Sequence, residues 1–210
     1  MDQKKKYSVL SPRNLIVRLL FPFEYHLIQS EQKEREIKPT SNLEVHMIKP
    51  TDIHEHLTTL YMLTVEMKLK TILELGTRNG ESTIALLTAA EKIGGKVYSI
   101  DVDRCLKAKD KIKSYDLQKY WTFTQGDDLK VKWKKPIDHL FIDTSHLFEH
   151  TLRELEKYEV YVKRGGLITF HDTVTYPEVV PALKKYVKDR KDLNIYKYFN
   201  NSGLIVVFKH

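Results

Sequence analysis

Twelve residues, Ile72 to Thr83, constrain this chain more than any others: Ile-Leu-Glu-Leu-Gly-Thr-Arg-Asn-Gly-Glu-Ser-Thr. An apolar run ends in an acid, a turn punctuated by two glycines follows, and a helical pattern begins at once. This pattern predicts a strand, a tight loop and a helix N-terminus, an arrangement that holds a nucleotide-like ligand at the carboxyl end of a parallel strand. Glycine allows the close approach because it has no Cβ and tolerates positive φ. Glu74 and the later Asp101 place acids where a phosphate would be repelled, which favours a cationic, hydroxyl-rich ligand over a dinucleotide. The loop Gly76-Thr77-Arg78-Asn79-Gly80 also lacks both the G-x-G-x-x-G spacing and a Walker lysine.

The rest of the chain extends the alternation. Thr51 or Asp52 is positioned to cap a helix carrying Ile53, Leu57, Leu60, Leu63 and Met67. Strands are expected at Thr71 to Leu75, Lys96 to Ile100, Trp121 to Thr124, Ile137 to Ile142 and Leu167 to Phe170. Helices are expected between them: Ser82 to Ile93, Arg104 to Tyr115, and Phe148 to Val162 with Gly165-Gly166 as its stop. A further helix is expected from Glu178 to Lys188. Two last strands, Ile195 to Phe199 and Leu204 to Phe208, flank Asn200-Asn201-Ser202-Gly203, a hairpin signal. Parallel βα units closed by an antiparallel hairpin predict a mixed sheet with helices on both faces.

Length and composition set the frame. The 210 residues, 41% of them hydrophobic, suffice for one α/β domain and an appendage. The appendage is expected at residues 1–50, an N-terminal arm or lid with a helix start at Ser11-Pro12-Arg13, and the main domain at 51–210. The single cysteine, Cys105, excludes a disulfide framework and suggests a reducing compartment, with the cytoplasm as default. No apolar run approaches the ~18–20 residues of a membrane span. The formal charge of +7 admits an anionic partner, yet the lysines are spread along the chain and read as solvated helix faces. Nucleic acid is thus a disfavoured partner, and a homo-oligomer is left open.

Four strand ends carry acids, at Glu74, Asp101, Asp127 and Asp143. In order and spacing, ELGTRNGEST, YSIDVD, QGDD, FIDTSH and GGLITFHDT followed by a hairpin resemble a class I S-adenosylmethionine-dependent methyltransferase over about residues 51–210. The D-x-x-H after the fourth strand and the HDT after the fifth resemble the small-molecule O-methyltransferases: the macrocin and mycinamicin sugar enzymes, the cephalosporin-biosynthesis group and, more distantly, catechol O-methyltransferases. The resemblance implies a Rossmann-like seven-stranded sheet of order 3-2-1-4-5-7-6 with the last strand antiparallel.

It also implies roles by position. Glu74, Gly76, Thr77, Gly80 and Ser82 would line the methionine end of S-adenosylmethionine. Asp101 would hold the ribose hydroxyls, and Asp127 or its neighbour Asp128 would face the adenine amine. In metal-dependent relatives the corresponding positions ligate magnesium; here they fall on Asp143, His171 and Asp172. The base position falls on His146, so Asp143, His146 and His171 are the expected catalytic group. An imidazole is a poor magnesium ligand, and this donor set suits manganese, iron or zinc better, or else no metal is bound and His171 acts as a base or orients substrate. Trp133, Phe148 and Tyr176 are candidates for the acceptor wall, whereas His54, His56, His139 and His150 read as surface or core residues. The implied reaction is methylation of a hydroxyl on a sugar, polyketide or catechol-like acceptor. The alternatives are an RNA ribose or other nucleic-acid methyltransferase, and a non-catalytic cofactor-binding protein.

Overall fold

A computed structural model describes residues 41–210. The expected helix start at Ser11 lies outside the described residues. Seven strands form one sheet: β1 (Thr71–Leu75), β2 (Lys96–Asp101), β3 (Trp121–Gln125), β4 (Ile137–Ile142), β5 (Val162–His171), β6 (Leu193–Tyr198) and β7 (Leu204–Lys209). Their order is β3-β2-β1-β4-β5-β7-β6, as expected. Strands β1 to β5 are mutually parallel, and β7 runs antiparallel to both of its neighbours, β5 and β6. Chain direction around the sheet reverses between β1 and β4, so a crevice opens beyond their carboxyl ends, where ligands of open α/β sheets bind.

The helices are α1 (Asn42–Ile48), α2 (Leu57–Glu66), α3 (Glu81–Ile93), α4 (Leu106–Ser114), α5 (Phe148–Tyr158) and α6 (Val179–Val187). Because successive strand residues face opposite sides, Ile72 and Phe141 join the core made with Leu57, Leu60, Leu87 and Ile112. Leu73 and Leu140 join the core made with Leu155, Tyr158, Val179 and Leu183. Strands buried on both faces need no polar alternation, which is why β1 reads as an almost unbroken apolar run. Glu74 is the exception within it. Helix α1 falls inside the segment read as an arm. Leu43 on it is buried in the first core, and His46 Nε2 lies 3.2 Å from the Tyr115 hydroxyl.

Two local expectations need correction. Neither Thr51 nor Asp52 caps α2; a 3-10 turn at His54–His56 leads into it without a side-chain cap bond. Helix α5 ends at Tyr158, and β5 begins at Val162 rather than Leu167. Gly165 and Gly166 therefore sit within the strand. There the pairing with β4 shifts register between Ile137 and His139, and Gly165 has a φ of +78°. The glycine pair absorbs a bulge instead of stopping a helix.

Candidate active site

The site is built on the loop after β1. Glu74 is fully buried, and its carboxylate accepts bonds from the hydroxyls of Ser82 (2.8 Å), Thr83 (2.9 Å) and Ser99. Burial pushes its pKa up to about 7, against the pull of these three hydroxyls. Glu74 thus ties β1, β2 and the first turn of α3 together beneath the loop. Gly76 turns the chain at a φ of +89°, and a Cβ there would stand 1.9 Å from the carbonyl oxygen of Asp143. Only glycine lets β1 and β4 deliver their ends side by side. Gly80 starts α3, packed against Ala108 of α4. Thr77 is buried behind the loop.

Asp101, at the end of β2, accepts bonds from the backbone N–H groups of Thr77 (2.7 Å), Arg78 (2.9 Å) and Asp103 (2.8 Å). Burial alone would raise its pKa, but these N–H groups more than offset it and hold the carboxyl below its ordinary value. A cavity of about 310 Å³ lies beyond, lined by Gly76, Asp101, Asp128, Asp143 and His150 among others. Asp128, not Asp127, reaches this cavity: Asp127 pairs with Lys130 at 2.9 Å and caps Leu129 N–H. His150, read as a surface or core residue, lines the cavity beside Asp128, 3.2 Å from its carboxylate.

The second half of the site gathers at the ends of β4 and β5. His146 Nε2 lies 3.1 Å from Asp143 Oδ1 and 3.3 Å from Asp172 Oδ2. His171 Nδ1 lies 3.5 Å and 3.7 Å from the same two atoms. Burial would raise the Asp143 pKa, but the two histidines overcome it and hold the carboxyl well below the usual carboxylate range. Asp172 shifts upward, driven by burial and by Asp143, against the pull of both histidines. Burial lowers the His171 pKa, and the pairing with Asp143 and Asp172 reverses this to a net rise. His146 and Asp172 both hold a φ of +59°. Non-glycine residues persist there only where the surroundings over-determine them, typically at functional sites. The His146 ring stacks on Tyr176 at 4.3 Å.

A further cavity of about 470 Å³ opens on this side, lined by Asp52, Arg78, Thr144, Ser145, His146, Asp172, Thr175, Tyr176 and Ser202. Arg78, Thr144 and Ser145 line both cavities. Of the three aromatic wall candidates, Tyr176 lines this cavity; Trp133 packs on Tyr98 and Phe148 under Lys185. The contributions of Asp52, which pairs with Arg78, and of Ser202 in the terminal turn carried no local sequence signal. Asn201 helps bring them there by fastening the hairpin to the backbone of Thr51 and Glu55, with both bonds at 2.9 Å.

Comparisons with known proteins bear on the fold that carries this site. Residues 73–173 match the family described as Methyltransferase domain. An uncharacterized methyltransferase of Bacillus cytotoxicus is 28% identical over 159 residues, 73% of this chain and 70% of that protein. Uncharacterized protein R132 of Acanthamoeba polyphaga mimivirus is 37% identical over 81 residues, 33% of this chain and only 37% of that protein's length. The crystal structure of an O-methyltransferase from Bacillus cereus with SAH superposes with a TM-score of 0.67 at 16% identity, covering 88% of this chain and 97% of that one. Residues 73–173 are thus similar to a methyltransferase domain, and the sheet around them shares the fold of that O-methyltransferase. Among the described residues, no helix is long and apolar enough to cross a membrane.

Proposed function

We propose that this protein transfers a methyl group from S-adenosylmethionine to a hydroxyl of a small, polar acceptor, with His146 as the base. The observation that carries this reading is the convergence of Asp143, His146, His171 and Asp172 beside the two cavities that share Arg78, Thr144 and Ser145. S-adenosylmethionine supplies the electrophilic methyl carbon. The loop from Gly76 to Gly80 and Asp101 bind its methionine and ribose parts, with Ser82 and Glu74 bracing the loop from below. Asp128 accepts a bond from the adenine amine in place of Asp127.

The chain's own residues then handle the acceptor proton. Ionised Asp143 and Asp172 can only accept, so His146 Nε2 carries a hydrogen toward them and Nδ1 is left as the basic nitrogen. As the acceptor oxygen takes the methyl group, its hydroxyl proton would pass to Nδ1 of His146. The carboxylates stabilise the resulting imidazolium. A positioned base of this kind contributes about 10²–10⁴-fold.

The donor set also fits a divalent metal. His171 Nδ1 is buried without a hydrogen-bond partner, facing Asp143 and Asp172. Asp143, His171 and Asp172 would hold the ion, which there would orient a diol and lower a hydroxyl pKa. One nitrogen and two oxygens favour manganese, iron or zinc over magnesium.

The second cavity argues for the acceptor class. The hydroxyl-bearing residues Thr144, Ser145, Thr175 and Ser202 line it, with the Tyr176 ring. These groups suit a sugar-like polyol better than a flat catechol. Asp52 and Asp172 in the same wall disfavour a phosphodiester chain. Transfer of labelled methyl to a panel of glycosides, catechols and RNA tests this. Labelling of glycosides that is lost in His146→Ala supports it, and labelling of RNA alone refutes it.

A further inference from the structure

Among the described residues, two groups of three histidine and carboxylate side chains bring one donor atom each within 4.8 Å of one another. One is Asp143, His146 and Asp172, discussed above. The other is Asp128, His150 and Glu154, to which the methyl-transfer chemistry assigns no metal. His150 and Glu154 lie one turn apart on α5 and so share a face. Asp128 comes from the turn after β3.

The geometry is that of a ligand set. His150 Nε2 stands 3.2 Å from Asp128 Oδ1 and 3.6 Å from Glu154 Oε1. Donors on a tetrahedral ion with bonds of about 2.1 Å lie about 3.4 Å apart. Glu154 is fully buried, and its second oxygen, Oε2, has no hydrogen-bond partner. Asp128 Oδ2 is likewise buried and unpartnered. Nearby donors do not relieve them. The ammonium of Lys157 bonds to the carbonyl oxygens of Asp128 and Val131, and the Tyr158 hydroxyl bonds to the carbonyl of Asp128. Thr144 gives one hydroxyl bond, to Glu154 Oε1 at 2.7 Å.

We propose that Asp128, His150 and Glu154 form a second divalent-metal site, for an ion of the zinc or manganese class, next to the cofactor cavity. Without an ion, one proton on His150 serves two carboxylates. An ion would displace that proton and bring two charges in place of one. Imidazole beside two carboxylates selects against calcium and magnesium. The site would fasten the turn after β3 to α5, and so fix one wall of the cavity that Asp128 and His150 line. It does not depend on the methyl-transfer reading.

Zinc titration of the full chain tests it, with calorimetry and thermal melting as readouts. Asp143→Asn with Asp172→Asn dismantles the other cluster. In that background one zinc should still bind saturably and raise the melting temperature. Adding Glu154→Gln should weaken binding at least tenfold and remove the thermal shift. If Glu154→Gln does not fold, His150→Ala takes its place, since that side chain is partly exposed. The proposal is overturned if the Asp143→Asn, Asp172→Asn protein takes up no zinc, or if the further substitution leaves its zinc affinity unchanged.

Discussion

His171 Nε2 lies 3.1 Å from the backbone carbonyl oxygen of Asp52. A carbonyl only accepts, so Nε2 carries the hydrogen in every protonation state, and Nδ1 is the nitrogen presented to Asp143 and Asp172. A residue of the segment before α2 thereby fixes the tautomer of a residue at the end of β5. The same segment is fastened to the terminal hairpin through Asn201 and through His56, whose Nε2 is 2.8 Å from the carbonyl of Asn200.

This tautomer leaves His171 Nδ1 available for the proposed metal. His171→Ala should weaken manganese binding at the Asp143 cluster by at least about tenfold. Affinity for S-adenosylhomocysteine should stay within about threefold, because the β1 and β2 loops are untouched. Calorimetric titrations with each ligand measure both quantities. Undiminished manganese binding would remove His171 from the ligand set.

In the proposed reaction His146 acts on the acceptor and not on the donor. His146→Ala should lower kcat by about 10²–10⁴-fold with little change in cofactor affinity. Steady-state rates with a glycoside found by the labelling screen would show this, and a fully active variant would exclude His146 as the base.

Gly76 is a steric requirement. A Cβ there overlaps the Asp143 carbonyl at 1.9 Å, and the φ of +89° is strained for any L side chain. Gly76→Ala should cost on the order of 3 kcal/mol of stability. It should also displace Asp143 and abolish turnover. Urea unfolding midpoints give the first quantity, and a midpoint equal to wild type would contradict the packing described.

Glu74 couples stability to pH. Its folded pKa of about 7 stands above the ordinary 4.5 because of burial. Between these values the folded chain retains a proton that the unfolded chain releases, so stability falls as pH rises through that window and levels off above it. The loss amounts to at most about 3 kcal/mol. Glu74→Gln should remove about half of this slope, as read from urea melts at acidic and neutral pH, because burial holds Glu154 up at about 7 as well. A slope left unchanged by the substitution would contradict the assignment to Glu74.

The legible part of the fold was the part fixed by local chemistry. The acid and paired glycines after β1, the acids after β2 and β4, and Asn200 to Gly203 before β7 each marked a strand end. The strand order followed from the family resemblance. Gly165-Gly166 misled because glycines that end a helix and glycines that absorb a β-bulge look alike in sequence; only the pairing with β4 distinguishes them.

At the site, Asp143, His146, His171 and Asp172 were all identifiable, and the structure brings their side chains together. Asp127 and Asp128 could not be separated by spacing, because which neighbour faces the crevice depends on the turn that Asp127 makes with Leu129 and Lys130. Thr83 and Ser99 were not identified as Glu74 partners, since Ser99 comes from another strand. His150 was read as a surface or core residue, and Glu154 was not singled out; the fold brings Asp128 to them from the turn after β3.

The most direct test of the account is calorimetric titration of the full chain with S-adenosylhomocysteine, for the wild type and for Asp101→Ala. The account predicts saturable one-to-one binding by the wild type and a loss of about 100-fold or more in the variant, whose ribose contacts and loop N–H bonds are removed together. No binding by the wild type, or equal affinity in the two proteins, would contradict it.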